Sequence, residues 1–227
     1  MELTRLTERI WLCPFEKERD RPVLGYIRGD NISVAVDAGH SEAHIKEFYA
    51  ALQDAGLPLP KLTVLTHWHW DHTFAMHAVN GLSIANSLTD SYLRQFKEKV
   101  EEKGIEIFLS IDKSIRLEYE GDRPVIITFP DIVFTDEMRI DAGNCPIRLI
   151  RSQAPHTDDS TLVFAESEKV LFLGDAASGT IPTWVKNPEL CSKLADTIEG
   201  LDVDICLQSH YKPQEKQEVI DDLRAGL

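Results

Sequence analysis

Four side chains of metal-ligand type lie together in one short segment of the chain. The segment is Thr66-His67-Trp68-His69-Trp70-Asp71-His72, with three imidazoles and one carboxylate within six residues. Imidazole nitrogen combined with carboxylate oxygen suits zinc, iron or manganese, and a site this rich in histidine is a normal zinc environment. Without a metal, the same groups would be crowded together without enough hydrogen-bond partners. The segment therefore predicts a metal site rather than a histidine-rich surface loop.

An apolar run over residues 62–65 comes directly before this segment and predicts a short buried strand. The ligands are then expected in the loop where that strand ends. Alternation along an extended chain would direct His67 and His69 one way and Trp68 and Trp70 the other. We expect the two tryptophans to pack under the site rather than to contact substrate.

Three later residues of ligand type also follow apolar runs. His156 comes after residues 147–150, Asp175 after residues 170–174, and His210 after residues 204–209. Sheets hold the backbone at strand ends while loops vary the chemistry, so ligand-binding groups collect there. Taken alone, a Gly-Asp pair is more often a turn and a single histidine is more often structural. Beside the first segment, all three are expected to be ligands.

This set of motifs resembles that of the metallo-β-lactamase superfamily. The family pattern is Thr-His-x-His-x-Asp-His, then a further His, a Gly-Asp strand end and a final His, and the match extends from Asp37 to His210. The resemblance implies an α/β fold, the four-layer αββα sandwich, in which two sheets pack face to face with helices outside. Periodicity of the sequence does not by itself indicate that architecture.

The resemblance also implies two divalent metal ions, with zinc as the expected metal and iron or manganese as alternatives. The implied ligands are His67, His69 and His156 for one metal, Asp71, His72 and His210 for the second, and Asp175 as a bridge. Asp71 is further expected to orient the nucleophile and to pass its proton to the leaving group. Asp37 is expected to support a ligand imidazole by a hydrogen bond.

Departures from subfamily patterns exclude several specific activities. Class B1 β-lactamases have Arg and Cys where this chain has His72 and Asp175, and acyl-homoserine lactonases have Tyr where it has Ser178. Flavodiiron proteins place Glu at the position of His69. Hydroxyacylglutathione hydrolases extend well beyond the last ligand, whereas 17 residues follow His210 here. The pattern predicts a generic hydrolase of the glyoxalase II and lactonase-like branch, with no subfamily assigned.

Three function classes remain open at this point. The leading one is a hydrolase that uses a metal-bridging hydroxide to cleave a small ester, thioester or lactone. The second has the same dinuclear site but attacks a phosphodiester or phosphonate of a small molecule. The third is a sulfur dioxygenase with a single iron. No residue is assigned to substrate binding.

Charge and composition limit the classes of molecule that the protein is expected to bind. The chain has 38 acidic and 24 basic residues, a net charge of −14, and no cluster of Lys and Arg, so nucleic acid is not expected as a partner. The metal site itself would keep a formal charge of about +1, so a small anionic substrate is not excluded. We expect a small-molecule substrate and no membrane partner, and the sequence leaves open whether the protein is a monomer or a homodimer.

Length and cysteine usage indicate one domain in a reducing compartment. A chain of 227 residues with 43% hydrophobic residues can bury one sizeable core, so residues 1–227 are expected to form a single domain. The first residues lack the basic start and apolar stretch of a signal peptide, which predicts a cytoplasmic protein. Scattered cysteines predict reduced, mostly buried thiols at Cys13, Cys145, Cys191 and Cys206.

Helices are predicted from Ser41 to Gly56, from Thr89 or Asp90 to Gly104, and from Asn187 to Gly200, with a further charged helix near the C-terminus. Strands are predicted near residues 32–36, 61–66, 125–129, 146–151, 160–165, 169–174 and 204–209.

Residues 87–130 are predicted to form an insertion, because the chain between His72 and His156 is longer than the sandwich needs. The insertion is expected to cover the substrate, with Phe108, Leu109 and Tyr119 as an apolar wall. A peripheral or dimer-forming role is the alternative.

Other residues near the motifs are not assigned as ligands. His40 follows Asp37-Ala38-Gly39 and His77 follows the ligand segment, and both are expected to be structural. His44 is expected to be an exposed or partly buried helix residue. Trp184 and Tyr211 adjoin ligand loops, where packing is the ordinary role of an aromatic side chain.

Overall fold

The computed structural model describes residues 2–121 and 123–226. Within them, two sheets pack face to face. The first has seven strands in chain order: β1 (Thr4–Arg5), β2 (Ile10–Cys13), β3 (Leu24–Arg28), β4 (Ser33–Val36), β5 (Leu62–Val64), β6 (Leu82–Asn86) and β7 (Ile132–Phe134). The second contains β8 (Glu137–Asp141), β9 (Pro146–Ser152), β10 (Ser160–Ala165), β11 (Val170–Gly174), β12 (Ile205–Gln208) and β13 (Gln214–Glu215), in the order β13-β12-β11-β10-β9-β8.

Helices cover the outer faces of both sheets. They are α1 (Glu42–Asp54), α2 (Trp70–Thr73), α3 (Ser87–Lys103), α4 (Glu106–Leu109), α5 (Lys113–Glu118), α6 (Pro188–Glu199) and α7 (Lys216–Ala225). Single 3₁₀ turns occur at Met76–Ala78 and Glu166–Glu168. No helix in residues 2–121 or 123–226 is both long and apolar enough to cross a membrane.

Three apolar clusters correspond to the three contacts between four layers. The first packs α1, α3, α4 and α5 on the outer face of the first sheet. The second lies between the sheets, where Ile10, Val34 and Val64 join Ile147, Val163 and Phe172. The third packs α6 and α7 on the second sheet. The predicted αββα sandwich is confirmed, and its formation follows from sheets that are apolar on both faces.

Parallel strands bring the functional loops to one edge of the sandwich. Strands β4, β5, β6 and β7 run parallel to one another, as do β11 and β12. Their carboxyl ends therefore lie at the same edge of each sheet, which is where open α/β sheets place their ligand-binding residues. Asp37 follows β4, the His67–His72 segment follows β5, Asp175 follows β11 and His210 follows β12.

Most of the predicted elements are present, with several differences. Helices α1 and α6 begin at the predicted caps, Ser41 and Asn187, whose side chains accept hydrogen bonds from backbone N–H groups of the first turn. Helix α3 begins at Ser87 rather than at Thr89 or Asp90, because Asn86 supplies the cap. The sequence pattern does not predict strands β1, β2, β3, β6, β7, β8 and β13.

The prediction of a strand at residues 125–129 is wrong. These residues have no regular structure, and the strand that pairs with β6 is β7, a few residues later. Instead, Val125, Ile127 and Phe129 pack against the outer apolar cluster of the first sheet. The charged groups of Arg94 and Lys97, both on α3, lie over the Phe129 ring. The apolar pattern correctly indicates packing, but these residues contact a helix layer rather than a neighbouring strand.

Two expectations about side-chain exposure are also wrong. Phe108 and Tyr119 do not form a wall facing substrate, since Phe108 is completely buried and the Tyr119 hydroxyl donates to the His40 carbonyl oxygen. His44 is completely buried rather than exposed or partly buried, and its Nδ1 accepts a hydrogen bond from the His40 N–H. The expectation of buried, unpaired thiols is confirmed for all four cysteines.

Candidate active site

Three histidines meet at one point of the sheet edge. The Nδ1 atom of His69 lies 3.0 Å from the Nε2 atom of His67 and 3.0 Å from the Nε2 atom of His156. His67 and His69 come from the loop after β5, and His156 comes from the loop between β9 and β10. Each of the three side chains is buried. The two sheets thus contribute to one cluster, which can hold a metal ion.

A second group of ligand type lies beside the first. It consists of Asp71, His72, Asp175 and His210, whose ligand atoms lie within 4.8 Å of one another. Helix α2 places Asp71 and His72 on one short turn, and the Nε2 atom of His72 lies 3.2 Å from Asp71 Oδ2. The Nε2 atom of His210 lies 3.3 Å from the same oxygen. A single helical turn is therefore enough to bring Asp71 and His72 of the motif into the second group.

Asp175 stands between the two groups. Its Oδ2 atom is 3.7 Å from His156 Nε2, 3.6 Å from His72 Nε2 and 3.4 Å from His210 Nε2. The preceding Gly174 has φ +58°, and a Cβ atom there would lie 2.6 Å from Thr66 Oγ1. Only glycine fits both the left-handed backbone and the close approach. This turn directs Asp175 toward the centre.

Hydrogen bonds fix the orientation of three imidazoles. His72 Nδ1 donates to Asp37 Oδ2 at 2.7 Å, and His156 Nδ1 donates to the Gly179 carbonyl oxygen at 2.7 Å. Thr66 Oγ1 donates to Asp37 Oδ2 at 3.0 Å, so it accepts from His67 Nδ1 at 3.1 Å. Each Nδ1 is thereby protonated, which leaves Nε2 as the atom that faces the centre. Such supporting bonds are typical of metal-binding imidazoles.

Asp20 approaches the last histidine from the segment between β2 and β3. Its Oδ1 atom lies 3.5 Å from His210 Nδ1. Burial, followed by the negative charge of Asp71, raises the pKa of Asp20 to about 6. The next residue, Arg21, pairs with the buried Glu118 at 2.9 Å and anchors this segment to α5. Sequence reasoning missed Asp20, because nothing local distinguishes it from its charged neighbours.

Asp159 supports the ligand loop from the other side and was also missed. Its Oδ2 atom accepts hydrogen bonds from the Trp68 backbone N–H at 2.8 Å and from Thr89 Oγ1 at 2.7 Å. Its Oδ1 atom accepts from Thr157 Oγ1 at 2.6 Å. The carboxylate connects the loop after β5 to α3 and to the loop that carries His156. No sequence signal identifies such a role.

In the metal-free chain His67 and His69 are neutral, whereas His72 and His210 are charged. Burial and the neighbouring imidazole of His72 lower the pKa of His67 well below its usual range, and burial with His156 lowers the pKa of His69 to about 3. Burial would lower the pKa of His72 and His210 too, but the adjacent carboxylates raise it well above the usual value. Burial alone would raise the pKa of Asp71 and Asp175, but the adjacent imidazoles of His72 and His210 hold it well below its usual range.

The donor chemistry of the site fits bound metal. Tetrahedral nitrogen ligands at the usual zinc distance lie about 3.4 Å apart, close to the 3.0 Å separations in the first group. In the second group, the buried Nε2 atom of His72 has no hydrogen-bond partner among the described residues, although two carboxylates face it. The carboxylates have only an imidazolium proton to balance their charge there, and a metal cation bound by the same atoms would take its place.

An open cavity of about 430 Å³ adjoins the two groups. Its walls come from five segments between or after the strands and helices, and they carry both acidic and aromatic side chains. The lining residues outside the two groups are Phe15, Asp20, Trp70, Ile111, Asp112, Ser178, Ile181, Pro182, Trp184 and Tyr211. A concave site of this size beside convergent polar groups has the form of a small-molecule site.

The remaining histidines and aromatic residues have different roles. His40 Nδ1 donates to the Arg19 carbonyl oxygen and His77 Nδ1 to the Phe74 carbonyl oxygen, and neither residue belongs to the two ligand-type groups. Trp68 contacts the Phe96 ring, whereas Trp70 both packs on Phe108 and lines the cavity. The prediction that the tryptophans lie under the site holds for Trp68.

Trp184 and Tyr211 face the cavity rather than packing in the interior. Their side chains are 61% and 58% exposed, and both line its wall. From the predicted insertion, Ile111 and Asp112 reach the cavity while Phe108 and Tyr119 do not.

Solved structures with the same architecture come from several proteins. A metallo-beta-lactamase from Pontibacter korlensis is 16% identical, with a TM-score of 0.70 over 99% of this chain and 97% of that one. A metallo-beta-lactamase family protein from Thermus thermophilus is also 16% identical, with a TM-score of 0.68 over 97% and 80% of the two chains. A double mutant of the sec-alkyl sulfatase PisA1 is 14% identical, with a TM-score of 0.71 over 99% and 41%.

At these identities the structural comparisons show the fold alone. No curated protein sequence matches the chain. The family model described as "Metallo-beta-lactamase superfamily" matches residues 23–210, which contain both ligand-type groups and most of the two sheets. The chain therefore belongs to the metallo-beta-lactamase superfamily.

Proposed function

We propose that this protein is a dinuclear metal-dependent hydrolase of small esters, thioesters or lactones. The observation that carries the proposal is the pair of adjacent ligand-type groups with Asp175 between them, within 3.4 to 3.7 Å of a histidine from each. His67, His69 and His156 would hold one ion, and Asp71, His72 and His210 the second, with Asp175 shared. Zinc is the metal that best suits this donor set.

Bound divalent ions would make hydroxide available near neutral pH and would polarise a substrate carbonyl. The protein's own residues then determine how that chemistry is used. Asp71 is buried and ionised, and its Oδ2 atom lies 3.3 Å from His210 and 3.2 Å from His72. It is placed to orient the nucleophile and to transfer a proton to the leaving group.

The cavity wall favours a carbonyl substrate over a phosphodiester. Enzymes that transfer phosphoryl groups commonly neutralise the phosphate oxygens with Arg or Lys as well as metal. Among the described residues that line this cavity, none is Arg or Lys. A full second group of ligands likewise favours a dinuclear hydrolase over a dioxygenase with one iron.

Metal content and a substrate panel test this proposal together. Protein purified without chelator is expected to contain about two metal ions per chain by elemental analysis. The His210→Ala variant should fall to about one ion, while the His77→Ala variant, changed outside both groups, should keep two. A panel of esters, thioesters, lactones and phosphodiesters then identifies the scissile bond. A wild-type content of one ion under excess zinc, manganese and iron would contradict the dinuclear assignment.

A further inference from the structure

Acidic and aromatic side chains, without Lys or Arg among the described residues, line much of the cavity beside the candidate metal centre. Asp20 and Asp112 add two carboxylates to the lining, and no Lys or Arg belongs to it among the described residues. Asp20 lies against His210, so its charge belongs to the metal centre. Asp112 has no hydrogen bond or ion pair with either ligand group among the described residues.

Of the two carboxylate oxygens of Asp112, one accepts hydrogen bonds and the other has no partner among the described residues. As the cap of α5, its Oδ1 atom accepts hydrogen bonds from the Ser114 N–H at 2.8 Å and the Ser114 hydroxyl at 2.7 Å. These bonds lower the pKa of Asp112, so it is ionised at neutral pH. Its Oδ2 atom has no hydrogen-bond or ion-pair partner in the part of the chain that the structure describes. Lys113 is the cation beside it in sequence, and forms no ion pair with it there.

Aromatic rings form much of the remaining wall. Trp184 and Tyr211 are mostly exposed, and Phe15 and Trp70 also line the cavity. Trp184 is held in place rather than free: its backbone N–H donates to the Thr180 carbonyl oxygen at 2.7 Å, and its ring stacks 6.3 Å from that of His156. An exposed tryptophan fixed beside an active centre offers its π face to a ligand.

We propose that the substrate of this site carries a cationic ammonium group, held by Asp112 and the aromatic wall while the scissile carbonyl lies at the metal centre. A carboxylate together with aromatic faces is the usual environment for quaternary ammonium ligands. The net charge of −14 also favours approach of a cation. This inference rests on the proposed hydrolase function and names the substrate class that the same site prefers.

A matched pair of esters tests the inference. Acetylcholine and 3,3-dimethylbutyl acetate have nearly the same shape and differ by one positive charge. At low ionic strength, we expect kcat/KM to be about tenfold higher for the cationic ester, as one exposed ion pair with cation–π contacts can supply. The Asp112→Asn variant should lose most of this preference, through a lower kcat/KM for the cationic ester. Asparagine keeps the helix cap, so the fold is retained.

A control variant and a binding measurement separate the inference from the function. Glu98→Gln removes one negative charge from the exposed face of α3, outside the cavity, and should leave the preference unchanged. Calorimetric titration with choline and with 3,3-dimethylbutanol reports binding without turnover. Tighter choline binding that Asp112→Asn weakens, with neither ester hydrolysed, would support the cation site and refute the ester hydrolase. Equal turnover of both esters and equal binding of both alcohols would overturn the cation site alone.

Discussion

Replacement of Asp37 by Asn tests how the sheet edge orients the second group of ligands. The Asp37 carboxylate is buried and accepts three hydrogen bonds: from the Thr66 N–H at 2.7 Å, the Thr66 hydroxyl at 3.0 Å and His72 Nδ1 at 2.7 Å. An asparagine side chain of the same size can keep the bond from the Thr66 N–H. Its NH₂ group would then face the Nδ1–H of His72, donor against donor.

The conflict can be relieved in two ways, and both have measurable costs. If His72 keeps its Nδ1 proton, two buried donors are left unpaired, at about 1–3 kcal/mol each. If the proton moves to Nε2, the imidazole can no longer bind a metal through that atom. We therefore expect a loss of about 10–100-fold in affinity for one of the two metals, as observed generally when a group supporting a metal-binding imidazole is removed.

Competition with a chromophoric chelator measures the two affinities, and thermal unfolding of metal-free protein measures stability. The matched control is Asp159→Asn, because Asp159 is also buried and accepts a backbone N–H from the same loop, that of Trp68, but contacts no ligand imidazole. Asp159→Asn should reduce stability while both metal affinities stay near the wild-type values. If the two variants weaken metal binding equally, metal affinity depends on the position of the whole loop, and the argument that Asp37 keeps the His72 proton on Nδ1 is wrong.

The remaining predictions concern protons, turnover and selectivity. The adjacent carboxylates raise the pKa of His72 and His210 well above the usual value, so both are protonated without metal at pH 7. Metal binding should therefore release about two protons per chain and weaken as the pH falls. Calorimetry in buffers of different ionisation enthalpy measures the released protons, and a binding enthalpy that is the same in all buffers would contradict this prediction. The Asp71→Asn variant should lower kcat by about 100-fold or more with a much smaller change in substrate binding, and near-normal kcat in steady-state assays would show that the role of Asp71 was misassigned. Asp20→Asn should weaken metal binding by up to about tenfold, which is less than the effect of Asp37→Asn. The reason is that the contact between Asp20 and His210 is 3.5 Å long and partly exposed. The same chelator competition measures the metal affinity of this variant. Ile111→Ala should alter selectivity across esters of increasing acyl size while metal content is unchanged, and an unchanged selectivity profile would favour an interface role for residues 87–130.

Local sequence determined the two ligand-type groups to an unusual extent. The ligands of the first segment are close in the chain, so one loop and one turn of helix bring His67, His69, Asp71 and His72 together whatever surrounds them. Asp175 and His210 could be assigned because each ends an apolar run, and parallel strands deliver their ends to one edge of a sheet. The α1 and α6 caps were predictable for the same reason, since a cap depends on residues within one turn.

Tertiary structure decided what depends on groups far apart in the chain. Asp159 supports the Trp68 N–H across 91 residues, and Asn86 caps α3 while its amide bonds to Thr161 Oγ1, 75 residues away. The sequence around residues 125–129 has the apolar pattern of a strand, but only the position of α3 shows that a helix, not a sheet, covers it. The cavity is likewise formed by loops that are distant in the sequence, so the sequence alone does not predict that Asp112 and Trp184 line it. Local patterns specify which side chains are apolar or can bind metal, whereas partner choice follows from packing among distant elements.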